Sequence, residues 1–318
     1  RSTLFPYTTL FRSSYASILR GKTVTLKATV SPDDAANKAV AWSSSDKKIA
    51  TVDAKGVVTG VAKGTATITA KAKDGSGVKA TCKITVKQPV TKITLSKTSA
   101  SILRNKTITL KATAGLSSAN DKSVTWTTSN KKVATVDSKG VVKGIAKGTA
   151  TITATARDGS KVKATCKITV KQPVTKITLN KKSASILRNK TITLKAAAGP
   201  SSANDKSVTW TTSNKKIATV NSKGVVKGIA KGTATITATA KDGSKVKAVC
   251  KITVRQPVTK LTINKTKLTV KKGKVATLKV TVAPSSANDK SLKWTTSNKN
   301  IATVTQKGVV KGIKKGTA

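Results

Sequence analysis

Trp42, Trp126, Trp210 and Trp294 stand 84 residues apart, and Cys82, Cys166 and Cys250 keep the same step. A fixed period constrains the fold strongly, because every copy must satisfy the same packing rules as its neighbours. Gln-Pro pairs at Gln88-Pro89, Gln172-Pro173 and Gln256-Pro257 recur in phase, and each leads into an extended Val-Thr-Lys-hydrophobic segment. Such pairs punctuate a chain and mark domain junctions. Residues 90–173 and 174–257 are identical at 75 of 84 positions, which makes them near-exact tandem copies. The period exceeds the ~20–50 residues of solenoid repeats and suffices for a small domain with its own core. The expected organisation is a string of domains at 14–89, 90–173, 174–257 and 258–318.

Both ends depart from the pattern. Shifting the Val90–Leu95 segment back by one period predicts a strand at residues 6–11, but PYTTLF does not fit, and the register resumes only near Ser14. Residues 1–13, RSTLFPYTTLFRS, hold both Phe residues of the chain and resemble a translated sequencing adapter. They are read as a non-native segment, which leaves domain 1 without its first strand; a divergent first strand is the alternative. Gly316-Thr317-Ala318 matches Gly232-Thr233-Ala234, so the fourth domain is read as cut short before its last strands and the chain as a fragment. No apolar run approaches the ~20 residues of a spanning helix, and no membrane insertion is expected of this fragment.

Within one copy the hydrophobic period is two, the signature of half-buried strands. In the second copy Ile93 and Leu95 alternate with polar residues, and Ile108, Leu110 and Ala112 do the same over one stretch. Ala150, Ile152, Ala154 and Ala156 share one parity, as do Val162, Ala164, Cys166, Ile168 and Val170, with the hairpin signal Asp158-Gly159 between them. Thr, Val, Ile, Ser and Lys dominate, whereas Glu and Met are absent, which favours strand over helix. The expected fold class is all-β, with seven or eight strands per copy and one Trp on a middle strand, the pattern of an immunoglobulin-like sandwich.

Composition narrows the chemistry. The chain carries 62 Lys and Arg against 11 acids, all Asp, for a net charge of +51, and it has no His. Imidazole catalysis and His-ligated zinc are excluded, and paired-carboxylate mechanisms would rest on sparse Asp alone. No catalytic, cofactor-binding or metal-binding residues are expected, and the Asp residues show no calcium-loop spacing.

The run VTKITL…TITLKAT…VTWTTSN…VATVDSKGVVKGIAKGTATITAT…KVKATCKITV resembles the bacterial immunoglobulin-like group 2 domain, over residues 14–318 and most specifically from Trp126 through Thr153. The resemblance implies tandem β-sandwich modules of bacterial surface proteins, such as the intimin and invasin adhesins, or modules beside catalytic domains of secreted enzymes. It carries over no catalytic motif and no receptor-binding site.

Cys82, Cys166 and Cys250 take the inward parity of their strands, so each is read as a small hydrophobe in a separate core, unable to pair. Trp42, Trp126, Trp210 and Trp294 are likewise read as core residues rather than a sugar-stacking platform. The Asn105-Lys106-Thr107 type of acceptor pattern is read as a turn before a strand. Lysine is the strongest chemical signal, since the second copy alone carries +13. Lys161, Lys163, Lys167 and Lys171 share the outward parity of the last strand, and Lys92 on the first strand is expected beside them if the usual sandwich pairing holds. Two accounts follow: solubility and protection of strand edges, or a cationic stripe for anionic polymers such as wall teichoic acid or sulfated and acidic glycans. Specific nucleic-acid binding is not expected, because 55 of the 62 basic residues are Lys and no aromatic platform interleaves with them. The sequence thus points to a non-catalytic stalk or adhesion region outside the bacterial cell, with a polyanion-binding module or accessory domains of a secreted hydrolase as alternatives.

Overall fold

The structure, a computed structural model, describes residues 8–11 and 13–318. Every regular element among them is a β-strand. The chain divides into two compact units, residues 1–172 and 173–318, and each unit holds two of the repeats.

In the first unit, the repeat at 90–173 folds into nine strands. A four-stranded sheet runs in the order Ser99–Leu103, Lys163–Lys171, Gly148–Ala156, Val124–Thr128. A three-stranded sheet of Thr107–Thr109, Val141–Gly144 and Ala134–Val136 provides the other layer, together with the pair Ile93–Leu95 and Ala112–Ala114. Alternation builds the core: Cys166, Ile168 and Val170 point inward from the last strand and meet Ile152, Leu110, Ala134 and Val142. Ile152 and Ile168 are fully buried, and each such side chain contributes roughly 1.5–3 kcal/mol.

Two features of this topology differ from the sequence expectation. The stretch from Thr107 to Ala112, read as one strand, breaks at Leu110, whose N–H donates to the Gly140 carbonyl (2.9 Å). Its two halves then pair in different sheets, Thr107–Thr109 with Val141–Lys143 and Ala112–Ala114 with Ile93–Leu95. The first strand does not run beside the last. Ser99–Leu103 takes that place instead, and it pairs in parallel, Ser99 opposite Lys167 and Leu103 opposite Lys171.

Gly140 shows why the turn before Val141 needs glycine. Its φ is +78°, and a Cβ there would lie 2.4 Å from the Leu110 carbonyl oxygen and 2.9 Å from Trp126 Cζ2. The closed turn therefore lets Trp126 lie between the layers, where it packs on both hydrophobic clusters of this domain.

Domain 1 repeats the four-stranded sheet with Tyr15–Leu19, Lys79–Lys87, Gly64–Ala72 and Val40–Ser44. The expectation that it lacks a first strand needs correction: Thr8–Phe11 pairs antiparallel with Ala28–Ser31. Phe11 opposes Ala28 as Leu95 opposes Ala112, so the backbone register of the repeat reaches into the anomalous segment. Residues 1–7 and 12 lie outside the described residues.

In the second unit, domain 3 has the same four-stranded sheet, made of Ser183–Leu187, Lys247–Arg255, Gly232–Ala240 and Val208–Thr212. In domain 4 only Lys260–Ile263 with Val280–Ala283, and Val275–Thr277 with Val309–Gly312 and Ala302–Val304, form sheets. The segment around Trp294 stays out of any strand. In the other domains the two longest strands are the central pair to which that segment's counterpart bonds, and residues 258–318 reach only Gly316-Thr317-Ala318 of the first of them.

Candidate functional site

Strand parity sets the outer face of the four-stranded sheet. In domain 2 Lys163, Thr165, Lys167, Thr169 and Lys171 alternate with the buried core residues of the last strand. Thr149, Thr151, Thr153 and Thr155 do the same on the neighbouring strand, with Thr151 opposite Lys167 and Thr155 opposite Lys163. On the other side Ser99 opposes Lys167 and Ser101 opposes Thr169. Four strands thus present a plane of hydroxyls with a row of ammonium groups through it, and they contain no carboxylate. Domain 3 repeats the row as Lys247, Val249, Lys251, Thr253 and Arg255, and domain 1 as Lys79, Thr81, Lys83, Thr85 and Lys87. Domain 1 differs in placing exposed Tyr15 opposite Lys83.

The other basic candidates fall elsewhere. Lys161 lies in the turn before the last strand with φ +62°, outside the sheet. Lys92 precedes the strand that pairs with Ala112–Ala114, and its carbonyl accepts the Gly115 N–H (2.7 Å). The sequence reading placed Lys92 beside the row; the chain crosses between layers at Ser96–Thr98, so Ser99 and Ser101 stand there instead. Those serines were legible in the alternation Ser99, Ala100, Ser101, Ile102, a pattern easily overlooked because only Ile102 is strongly apolar.

Cys82, Cys166 and Cys250 are free and fully buried, one in each of three separate clusters. Burial pushes all three thiols up from their ordinary value, which removes thiolate and hence nucleophilicity. Trp42, Trp126 and Trp210 are half-buried and pack against the same clusters. Trp294 lines an open cavity of 720 Å³ with Leu268, Val270, Leu278 and Ile301, the flank of domain 4 that the two longest strands cover in the other domains. Among the described residues no group of His, Cys, Asp or Glu could hold a metal ion, and no helix is long and apolar enough to cross a membrane.

A second arrangement joins domains within each unit. The Gln88 N–H donates to Asn120 Oδ1 (2.7 Å), and the Asn120 N–H donates back to the Gln88 carbonyl (3.1 Å). Lys63 Nζ reaches across to the Ser118 carbonyl (3.1 Å). In the second unit Gln256 and Asn288 exchange the same two bonds (2.6 and 3.0 Å), and Lys231 Nζ donates to the Ser286 carbonyl (3.0 Å). Beside these joints Asp121 and Asp289 are held below the usual carboxylate range, first by the hydroxyls and N–H groups of Ser123 and Ser291. Lys87 and Arg255 add attraction from the preceding domain in each case.

The family model for the bacterial Ig-like domain (group 2) matches residues 11–84, 89–168, 173–250 and 257–318. The chain belongs to the bacterial Ig-like domain (group 2) family. Its group 2 domains are 37% identical over 153 residues to an uncharacterized protein of Clostridium acetobutylicum, covering 48% of this chain and 16% of that protein. They are 41% identical over 117 residues to an alpha-L-arabinofuranosidase of Bifidobacterium longum, covering 35% of this chain and 10% of that enzyme. The chain therefore spans less than a fifth of the length of these curated relatives. Among solved structures, similarity extends to the bacterial integrin-binding protein invasin at 16% identity and a TM-score of 0.34, covering 82% of this chain and 60% of that one. Group 2 domains are non-catalytic modules, and four in tandem make this chain an all-β repeat region.

Proposed function

We propose that this chain is the stalk and adhesion repeat region of a bacterial cell-surface or secreted protein, displaying functional domains encoded outside it. The observation that carries the reading is the joint. Gln88 with Asn120 and Gln256 with Asn288 exchange the same two bonds, one from the Gln N–H to the Asn side-chain oxygen and one from the Asn N–H to the Gln carbonyl, reinforced by Lys63 and Lys231. A display stalk needs joints that resist bending, whereas unbonded short linkers leave domains free to swing. Three hydrogen bonds per joint, at about 1 kcal/mol each, suffice to bias one orientation strongly over the alternatives.

Small-angle X-ray scattering of the full chain tests this. The variant Asn120→Ala, Asn288→Ala, Lys63→Gln, Lys231→Gln should give a broader distance distribution than the wild type. Identical distributions for the two proteins would remove the joint as a stiffening element and overturn the reading.

A second reading, accessory domains of a secreted hydrolase, draws on the similarity to the Bifidobacterium longum arabinofuranosidase and to a lacto-N-biosidase of Bifidobacterium bifidum. Recovering the complete reading frame decides it: a glycosidase domain in the same frame supports accessory modules, and its absence supports the stalk.

A further inference from the structure

We infer that the outer faces of the four-stranded sheets in domains 1 to 3 form a repeated docking surface for a linear polyol phosphate, a polymer of phosphodiester-linked polyols. The inference is independent of the stalk reading and rests on where the lysines stand. Lysine commonly guards the edges of sheets. In domain 2 Lys167 lies inside the sheet, with Ser99 paired on one side and Thr151 on the other, and the two edge strands of that sheet carry no lysine, whereas Lys163 is paired only with Thr155. Edge protection therefore does not account for Lys167.

Their spacing suits separate anchors. Lys163 and Lys167 are four residues apart on one strand, about 13 Å at the usual rise, which exceeds the ~8 Å screening length at physiological salt. Mutual repulsion is small, and each ammonium is free to hold its own phosphate as a point charge. Thr155 and Thr151 stand directly opposite these lysines and supply hydroxyl donors to the same phosphate oxygens. The four strands hold no carboxylate to compete.

The face also narrows the polymer. Sugar rings and nucleobases are gripped by aromatic planes, and the outer face in domains 2 and 3 has none. It offers only charge and hydroxyls, so the recognisable groups must be the phosphates and the polyol between them. One lysine–phosphate contact in water is worth no more than about 1 kcal/mol, but three faces in tandem act together.

The test measures binding of the full chain to poly(glycerol phosphate), heparin, single-stranded DNA and a neutral glucan by calorimetry at about 0.15 M salt. One variant replaces Lys79, Lys83, Lys163, Lys167, Lys247 and Lys251 with Gln, which leaves the joint residues untouched. A charge-matched control replaces Lys47, Lys55, Lys131, Lys139, Lys215 and Lys223, exposed turn residues off this face. The face variant should lose about tenfold or more in affinity for poly(glycerol phosphate), and the control no more than about threefold. Equal losses would reduce the effect to bulk charge and overturn the inference, as would tighter binding of heparin or DNA, or no binding by the wild type. A third variant, Thr67→Val, Thr151→Val, Thr155→Val, Thr235→Val and Thr239→Val, keeps charge and strand propensity. It should weaken binding severalfold, and unchanged affinity would overturn the hydroxyl–phosphate contact on which the polyol assignment stands.

Discussion

The Asp158 carboxylate accepts the backbone N–H of Val90, a residue 68 positions earlier, and so ties the segment after the Gln88-Pro89 junction to the turn between the two longest strands. Asp242 holds Val174 in the same way. Burial pushes both carboxyls up, but the Ser160 and Ser244 hydroxyls and the N–H groups of Val90, Val174 and those serines outweigh it, and both end below the ordinary value.

A depressed folded value means that the carboxylate stabilises the fold above the unfolded value, near 3.9, and that this contribution is lost as pH falls through the folded value. Thermal midpoints should therefore be flat from neutral pH to about 4 and fall below it. Asp158→Ala should flatten part of that acid fall and, after allowance for solvent screening, cost about 1 kcal/mol at neutral pH. A melting series from pH 7 to 2 on both proteins checks this.

Gly140→Ala should destabilise domain 2 by at least about 1–2 kcal/mol, because φ of +78° and a Cβ meeting the Leu110 carbonyl at 2.4 Å leave no strain-free arrangement. Trp126 closes the same space, so the loss should appear in tryptophan fluorescence at lower denaturant than in the wild type. Gly159→Ala, where the nearest atom is 3.8 Å away and φ is +89°, should cost less.

Asp137 Oδ1 accepts the N–H groups of Lys139 and Val141 (both 2.9 Å), and Asn221 does the same in domain 3 (both 3.0 Å). An amide oxygen thus serves as well as a carboxylate. Asp137→Asn should change stability by less than about 0.5 kcal/mol, whereas Asp137→Ala leaves two donors without this acceptor and should cost about 1 kcal/mol or more. Denaturant melts of the two variants separate these outcomes.

The thiols give a further check. Cys82, Cys166 and Cys250 are free and buried, so a thiol reagent should label the native chain slowly and three cysteines per chain once it is unfolded. Rapid native labelling at any of them would contradict the packing.

Period two made the long strands, the inward Cys and Ile positions and the lysine row readable, because alternation is a direct consequence of strand geometry. Pairing partners were less readable. Nothing local to Leu110 signals that Thr107–Ala112 divides between sheets; the break is fixed by the bond to Gly140, thirty residues on. The position of Lys92 failed for the same reason, since the crossover at Ser96–Thr98 is a tertiary choice that lets Ser99–Leu103 reach the last strand. Asp74, the counterpart of Asp158, has a buried Oδ2 with no hydrogen-bond partner among the described residues.

The parallel pairing of Ser99–Leu103 with Lys163–Lys171 has a mechanical consequence. One strand lies near the start of its domain and the other at its end, so tension along the chain pulls them in opposite directions along their common axis. The bonds between them, bounded by Lys167 N–H to Thr98 O (2.9 Å) and Arg104 N–H to Lys171 O (2.8 Å), lie across that pull. They must shear together rather than unzip one by one, so a domain of this topology yields to force abruptly and late.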